Sequence, residues 1–469
     1  MLHLLTPGRD VQERGAPPAA KRGDGDAVRD CRWFPLAIIS ALGVVLVLGR
    51  VAGPAFAQDE EADGPGKGEP IPVYWNEPMT SGLAVSPDGR WVAVTDDAGR
   101  LTVWDLQQPG GMVEGRVLTS DLLGTWAPVC FATTSDQLWT GANEGGARSW
   151  RREGERWVEG PSVQPEMYVT DMAVSPGGGL LALAGGTEIA LVDLDTLTAK
   201  AQKDVGAEAE GASPAGEDVP LWFGRVAFAG DDLLVLGGSD GQAHVMAVEP
   251  LREVRAVQAF APDNEGAGIL TGLAIAPDGR SAAVAPATGG EVRRVWLRDE
   301  RPVEILASAG LFGFTDLAWS PTADRLAGVG WPEGDEDALL LWSAQPVQLE
   351  RRLGGQAGRI AFHPTEPQLL HSEDGSVEVL DADSGETLRS LTSGCEIVVL
   401  NDTDEACTVY VKGPYSDTLR LEPGERTRLD AAEPGDYIFH AVAAQGGGTY
   451  RFEESVGPAG LVIHYQDPW

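Results

Sequence analysis

The sequence holds three short stretches whose residue types could support catalysis or metal binding. The first, GGSDG at 237–241, matches G-x-S-x-G, in which a strand turning sharply into a helix exposes a nucleophilic serine. Alternating apolar residues stand on both sides of it, no helix pattern follows, and no histidine and acid complete a triad. The pattern therefore predicts a turn between two strands, with Ser239 as a turn residue.

The other two stretches, DADSGE at 381–386 and NDTDE at 401–405, place acidic or amide side chains at alternate positions, as calcium loops do. A complete calcium loop supplies six or more oxygens, including a distal bidentate glutamate, and neither stretch does. Metal-binding histidines follow short fixed spacings, whereas the six here are scattered. They are His3, His244, His363, His371, His440 and His464. We predict no metal site and no cofactor.

Four cysteines are too few for a disulfide scaffold. Cys31 would be lost with a cleaved leader, which leaves Cys130, Cys395 and Cys407. Two alternatives stand for the last pair. An oxidising compartment permits a disulfide, but a tight hairpin around 402–405 opposes it, because the two Cα atoms must come within about 7 Å.

The chain of 469 residues is long enough for more than one domain and a sizeable core. It is strongly acidic: residues 58–469 contain 28 Lys and Arg against 66 Asp and Glu, a net charge of −38. Contacts with phosphates need a cationic surface, which such a chain lacks. We therefore exclude nucleic acid as a partner.

Residues 1–57 have the pattern of a targeting segment. Three arginines precede an uncharged run at 33–49: Arg22, Arg29 and Arg32. The run is short for a membrane span of about 20 residues, and AFA at 55–57 fits a signal-peptidase site. This favours a signal peptide cleaved after Ala57 over an uncleaved membrane anchor. An acidic linker follows at 58–69, and we expect the body of the protein outside the cytoplasm, at the membrane only if the segment stays uncleaved.

Seven segments of the chain repeat one volume pattern. Each opens with a strand such as LAVS, in which two apolar residues flank a small one, and later has a strand such as LTVWDL. The small residues are Ala84, Cys130, Ala173, Ala227, Ala274, Ala318 and Ala361. Period-two alternation marks strands, and small side chains let innermost strands approach the axis of a propeller. Cys130 occupies this column, which predicts a buried, inert thiol.

Spacings of 38 to 54 residues bracket the period of WD-type repeats. With SPDG at 86–89, VWDL at 103–106 and APDG at 276–279, the chain resembles the WD-repeat family, in a divergent bacterial-type exported form. The Gly-His dipeptide of the family is missing, and only one repeat keeps Trp-Asp. The resemblance implies an all-β fold with a seven-bladed β-propeller over 70–393.

The outer strand of the last blade has two candidates, IPVYWNE at 71–77 and ETLRSLTS at 386–393. Only one can take that place, unless the other adds a fifth strand. From 394 to 469 the repeat gives way to six or seven short strands separated by Gly, Pro and Asp turns, the pattern of a small β-sandwich. LEPGE and EPGDYIFHA resemble Ig-like or transthyretin-like modules of secreted bacterial proteins.

Three acidic insertions should open on one face of the propeller: 206–220, 262–268 and 331–338. Apolar residues before the inner strands are expected in the core, namely Trp126, Val169, Phe223, Leu270 and Phe314. Trp222 stands one position earlier than Phe223 and is expected to be exposed. The predicted partner-binding residues are Glu208, Glu210, Glu217, Asp218, Trp222, Asp263, Glu265, Glu333, Asp335, Glu336 and Asp337.

The absence of a catalytic constellation and the WD resemblance favour a non-catalytic, extracytoplasmic, monomeric scaffold that binds a protein partner, and the acidic insertions favour a cationic partner. The alternative is a propeller enzyme, lactonase-like or quinoprotein-like, with its site in the central channel. Four charged residues at equivalent inner-strand positions could point there: Asp171, Arg225, Asp316 and Arg359. Paired opposite charges in a channel are also typical of structural ion pairs, and the enzyme rests on fold-level analogy.

Overall fold

The structure is a computed structural model that describes residues 36–40, 43–47, 73–76 and 79–466, the last range with gaps. The gaps are 98, 111, 120–126, 143–144, 155, 164–166, 206–220, 262–267, 309, 333–337, 345–346, 355–357, 374–375, 393–396, 404–405, 415, 430–434, 444–448 and 457–460. The described part of the chain is built from strands and turns, which confirms the all-β prediction. Within that part, no helix has the length and apolar character needed to cross a membrane.

Three strands precede the repeats. Within the apolar run, β1 (Leu36–Ser40) and β2 (Gly43–Val47) pair antiparallel, and β3 (Val73–Asn76) follows the acidic linker.

Seven antiparallel sheets then follow one another, and in each sheet four strands pair in chain order from an inner to an outer strand. Sheet 1 has β4 (Thr80–Val85), β5 (Trp91–Asp96), β6 (Leu101–Asp105) and, after the short strand β7 (Met112–Glu114), β8 (Arg116–Thr119). Sheet 2 has β9 (Val129–Phe131), β10 (Gln137–Gly141), β11 (Ala147–Glu153) and β12 (Arg156–Val163). Sheet 3 has β13 (Asp171–Val174), β14 (Leu180–Gly185), β15 (Glu188–Asp193) and β16 (Thr198–Asp204).

The remaining four sheets continue the order. Sheet 4 has β17 (Phe223–Phe228), β18 (Leu233–Gly238), β19 (Gln242–Ala247) and β20 (Arg252–Gln258). Sheet 5 has β21 (Leu270–Ile275), β22 (Ser281–Pro286), β23 (Glu291–Trp296) and β24 (Glu304–Ser308). Sheet 6 has β25 (Leu311–Trp319), β26 (Arg325–Pro332), β27 (Leu339–Ala344) and β28 (Val347–Leu353). Sheet 7 has β29 (Arg359–Phe362), β30 (Gln368–Glu373), β31 (Ser376–Asp381) and β32 (Thr387–Thr392).

A buried serine organises the turn after several inner strands. Ser86 Oγ accepts a hydrogen bond from the backbone N–H of Trp91 at 2.8 Å, the first residue of the next strand. Ser175 and Ser320 do the same in sheets 3 and 6. Because the hydroxyl satisfies a buried donor at the start of the second strand, the Ser-Pro repeats of the sequence become tight strand connections.

The sheets form a closed ring. One apolar cluster fills the space between each pair of neighbouring sheets, including the pair of sheets 7 and 1. The inner strands contact one another around the ring, and β29 contacts β4. The predicted core residues Val169, Phe223, Leu270 and Phe314 are buried in these clusters, and Trp126 lies outside the described residues.

The seam between sheets 7 and 1 answers the question of the outer strand. Thr387–Thr392 is the outer strand of sheet 7, and β7 adds a fifth strand by pairing with β32 in parallel. The indole Nε1 of buried Trp104 donates to Thr392 O at 2.9 Å. On the other side of the seam, His363 Nε2 donates to Gly89 O at 2.8 Å, since Nδ1 already accepts two backbone N–H groups.

The C-terminal strands form two further sheets. They are β33 (Ile397–Asp402), β34 (Cys407–Lys412), β35 (Asp417–Leu421), β36 (Arg426–Leu429), β37 (Gly435–Ala443), β38 (Thr449–Val456) and β39 (Leu461–Gln466). One sheet has the order β3-β39-β33-β36 and the other β35-β34-β37-β38. A single apolar cluster with members on both sheets, among them Val399, Phe439 and Tyr465, forms their core.

The placement of β3 corrects the expected start of the propeller at residue 70. Val73–Asn76 pairs antiparallel with β39, so that Val73 lies opposite Tyr465. The strand therefore belongs to a C-terminal sheet and not to the ring, which begins with β4. The reason is that β39 offers a free edge beside β33, whereas the outer place in sheet 7 is taken by a strand adjacent in sequence. The ring is thus inserted between two strands of the C-terminal sheets.

Candidate functional site

The three acidic insertions join strands whose ends lie on one face of the ring. Residues 206–220 and 262–267 connect the outer strand of one sheet to the inner strand of the next, and 333–337 connects β26 to β27. Because successive strands run antiparallel, connections of these two kinds leave from the same side of every sheet. We call this side the upper face. The predicted residues outside the described part of the chain are Glu208, Glu210, Glu217, Asp218, Asp263, Glu265, Glu333, Asp335, Glu336 and Asp337.

Trp222 is the described member of the predicted set, and it is partly exposed. Its backbone is fixed on both sides: Trp222 N donates to Ser239 Oγ at 3.1 Å, and Ser239 N donates to Trp222 O at 2.9 Å. Ser239 lies in the turn between β18 and β19, as the sequence predicts. The serine of GGSDG thus positions the residue that follows the 206–220 connection.

Three further aromatic side chains lie at the upper ends of their strands. Tyr168 is 50% exposed before β13, and Phe312 is 47% exposed at the start of β25. Trp331 is partly exposed at the end of β26, next to 333–337. Sequence reasoning missed these three. A usable signal was an aromatic residue directly before a buried one, since Tyr168 precedes Val169 as Trp222 precedes Phe223. We call Tyr168, Trp222, Phe312 and Trp331 the aromatic rim.

A buried histidine lies between two carboxylates beside the turn that contains Ser239. His244 is 4% exposed; its Nδ1 lies 2.7 Å from Glu253 Oε2 and its Nε2 lies 3.1 Å from Asp240 Oδ2. The ring packs edge-on against Phe223, with centroids 5.3 Å apart. Burial by itself lowers the pKa of His244, but hydrogen bonds and charges from Asp240 and Glu253 outweigh it and hold the pKa above 6.5.

Sequence reasoning did not find this cluster, because its members meet only through the fold. Asp240 comes from the turn and His244 from β19, while Glu253 reaches over from β20, where a β-bulge shifts the register between Val245 and Met246. The scattered spacing of histidines signals nothing of this kind.

The two aspartates predicted to point into the central channel act on the backbone of the next sheet. Asp171 Oδ2 accepts a hydrogen bond from Val226 N of sheet 4 at 2.8 Å. Asp316 Oδ2 likewise accepts from Ile360 N of sheet 7 at 3.2 Å. Each carboxylate therefore joins two adjacent inner strands.

The two arginines of the channel join sheets in the same direction. Arg225 Nε donates to Thr271 O of sheet 5 at 2.5 Å, and Arg359 Nε donates to Ser81 O of sheet 1 at 3.0 Å. Both guanidinium groups also donate to Thr315 O, at 2.5 and 3.1 Å. Asp171, Arg225, Asp316 and Arg359, which we call the channel quartet, thus tie the ring together from the inside.

Burial in the channel raises the pKa values of both aspartates. Burial raises the pKa of Asp316 to about 6, against the lowering effect of Arg225, whose Nη2 lies 3.3 Å from Asp316 Oδ1. Burial also raises the pKa of Asp171, and Arg225 again opposes the shift. Enclosure disfavours the ionised form more than one guanidinium compensates.

The cysteines have perturbed thiols. Cys130 is partly exposed as a residue rather than buried as predicted, while its side chain packs against the apolar cluster between sheets 2 and 3. Burial of its thiol, with a smaller contribution from the charge of Asp171, raises the pKa of Cys130 far above the usual range. Burial raises the pKa of Cys407 to about 11. Both are free thiols, and Cys395 lies outside the described residues.

The two calcium-like stretches are turns that use their own oxygens. Asp381 Oδ1 accepts the backbone N–H groups of Asp383 and Ser384, at 2.9 and 2.7 Å. Asn401 is buried, and its side-chain amide donates to the carbonyls of Leu421 and Glu422. Among the residues that the structure describes, no group of three or more potential ligands could hold a metal ion.

No protein-family model matches the sequence, and no curated protein matches it. Among solved structures, the chain is similar to the β-propeller domain of Cps50 (Swd1) from Myceliophteria thermophila, with a TM-score of 0.50 and 15% sequence identity. The match covers 67% of this chain and 99% of that domain. At this identity the likeness shows the fold alone: the chain has a β-propeller fold.

Proposed function

We propose that this protein is a non-catalytic scaffold that captures a cationic protein partner on the upper face of a seven-bladed, WD-like propeller. The observation that carries the proposal is the aromatic rim. Large aromatic side chains are enriched where proteins bind one another, since they bury much area at little entropic cost. Here four of them stand on the face from which the acidic insertions leave.

Charge indicates the kind of partner. The insertions contain ten Asp and Glu and no Lys or Arg, within a body of net charge −38. Acidic side chains attract a cationic surface over a distance, and aromatic faces bind ammonium and guanidinium groups at contact. A basic protein segment satisfies both.

The test is affinity capture from envelope extract with residues 58–469 as bait, in paired variants. Trp222→Ala with Phe312→Ala should lose the captured protein. The matched control is Ile305→Ala with Leu349→Ala, since these apolar side chains are 61% and 42% exposed on outer strands away from the rim. Equal capture by both double variants would remove the rim from the interface.

A second pair of variants tests the contribution of the acidic side chains of the upper face. Neutralising Glu333, Asp335, Glu336 and Asp337 should weaken capture and reduce its dependence on salt. The control neutralises four exposed acids in turns of the opposite face, namely Asp195, Asp278, Glu300 and Glu386. Equal losses in both quadruple variants would mean that overall charge, and not the upper face, attracts the partner.

The proposal also covers the export of the protein, the limits of its domains and its oligomeric state. The arginines before the run at 33–49 and the AFA motif at 55–57 support a signal peptide, and the two C-terminal sheets that share one core support a β-sandwich module. We propose that the mature protein begins at Gln58 and is an extracytoplasmic monomer. N-terminal sequencing of the mature protein and its mass in solution test both statements.

The propeller enzyme is the second candidate, and the raised pKa of Asp316 favours it, since perturbed acids cluster at catalytic sites. Lactone hydrolysis, or electron transfer in the presence of an added quinone cofactor, would establish it if Asp171→Asn or Asp316→Asn abolished the activity. The backbone contacts of the channel quartet support the structural role instead.

A further inference from the structure

His244 has the surroundings of an imidazolium that donates from both ring nitrogens. Both of its ring nitrogens lie against carboxylate oxygens, of Glu253 and Asp240, and a neutral imidazole has only one N–H to donate. The geometry therefore fits the doubly protonated ring. Among the described residues, those opposite His244 in register are the uncharged Leu236 of β18 and Ala256 of β20, and uncharged Phe223 packs on the ring.

The turn that His244 holds makes backbone contacts with two other segments of the upper face. Asp240 Oδ1 accepts the backbone N–H of Gln242 at 3.0 Å, which fixes the turn at 237–241. Ser239 binds Trp222, directly after the 206–220 connection. Gly241 O accepts the N–H groups of Ala259 and Phe260, at 2.9 and 3.0 Å, directly before the 262–267 connection.

We propose that the 237–241 turn is a pH-responsive clamp: protonated His244 holds the turn between Asp240 and Glu253, and deprotonation releases Trp222 and the backbone of Ala259 and Phe260 and weakens capture of the cationic partner. The clamp rests on the proposed function for its biological effect, but its structural response is independent of any partner.

The sign follows from the direction of the titration. Since the pKa of His244 is raised above 6.5, the charged ring stabilises the clamp fully below about pH 6.5, and this stabilisation is lost as pH rises through the pKa of the folded protein. The clamp is thus closed in mildly acidic solution and open in alkaline solution.

The experiment measures hydrogen exchange in the full chain between pH 5.5 and 9, corrected for intrinsic rates. The reporters are the amides whose N–H groups the clamp engages, those of Trp222, Ser239, Ala259 and Phe260. Their protection should fall as His244 deprotonates, because the stabilisation of the turn by the charged ring is lost at that step. A flat protection profile across this range would overturn the clamp.

Three variants make the result specific. His244→Gln should show low protection at every pH. Glu253→Gln keeps the ring in place and should move the transition to lower pH, because one opposite charge is lost. His440→Gln, a histidine of the C-terminal sheets, should behave as the unaltered chain. If His244→Gln retained the pH response, another group would be responsible and the proposal would fail.

Binding of a decalysine peptide, measured at pH 6 and pH 9, separates the clamp from the capture function. Tighter binding at pH 6 that is absent from His244→Gln supports both. A clamp transition in hydrogen exchange without peptide binding at either pH supports the clamp and contradicts capture of a cationic partner.

Discussion

Asp316 joins two sheets with one carboxyl group. Its Oδ1 accepts the backbone N–H of Leu317 at 3.0 Å, and its Oδ2 accepts that of Ile360. The pKa of this group is about 6 in the folded chain and near 3.8 when the chain is unfolded. Between these values the folded state binds the proton more tightly, so this group makes the free energy of unfolding decrease as pH rises from about 4 to about 6.

We therefore expect Asp316→Asn to remove a slope of at most about 1.4 kcal/mol per pH unit from the stability profile in that interval. Urea unfolding at pH 4, 5, 6 and 7 measures it. Asp195→Asn, which alters an exposed turn carboxylate, serves as the control and should leave the slope unchanged. Parallel profiles of Asp316→Asn and the unaltered chain would show that the acid is not destabilised by the channel.

At the level of the elements, the glycine of the SPDG turn after β4 contacts the seam between sheets 7 and 1. Gly89 has a φ of +74°, which glycine adopts without strain. A Cβ added there would lie 2.2 Å from Cε1 of His363, the histidine that binds Gly89 O across the seam. Gly279 occupies the same position in sheet 5 with a φ of +65°, but its nearest neighbour, Ala229 O, would be 3.7 Å away.

This pair of glycines separates backbone strain from seam closure. Gly279→Ala should cost about 1–2 kcal/mol of stability, for the positive φ alone. Gly89→Ala should cost about 1–3 kcal/mol more, because His363 must move and sheets 7 and 1 lose a contact. Urea midpoints of the two variants measure the difference, and equal midpoints would mean that the seam tolerates the added methyl group.

At the level of the whole molecule, β3 joins the segment before the ring to a sheet formed by the chain after the ring. Deleting 71–77 should leave β39 as an open edge and lower the protection of amides in 397–466, with little effect on the ring at 80–392. Hydrogen exchange measures both regions in one experiment. Deletion of the linker at 58–69 is the control, and if it had the same effect as the loss of β3, pairing with β39 would not be the cause.

The parts of this architecture that the sequence predicts are those encoded by repetition. The small-residue column and the buried residues Phe223 and Phe314 recur at fixed offsets, so that the role of a position in one repeat predicts its role in the others. The aromatic rim was found only at Trp222, because the signal that Tyr168 shares with it, an aromatic residue directly before a predicted core residue, does not recur in every repeat.

Pairings between distant segments could not be predicted in the same way. β3 has four residues and pairs with a strand almost at the other end of the chain, while β7 pairs over three residues. Such short strands have no register signal of their own, and their partners are decided by which sheet edges the rest of the fold leaves free. The His244 cluster similarly depends on a bulge that only the paired strands create.

The insertion of the ring also determines how the molecule would carry mechanical force. Val73 lies opposite Tyr465, so the segment that holds the ring and the C-terminal sheets begins and ends side by side. A pull between these two points runs through the pairs of β3 and β39 and opens them one after another, like a zipper. The force does not pass through the propeller while β3 and β39 remain paired, so the propeller keeps its shape until β3 has detached. A pull from the N-terminal side would therefore separate the four residue pairs between β3 and β39 before tension reached the upper face.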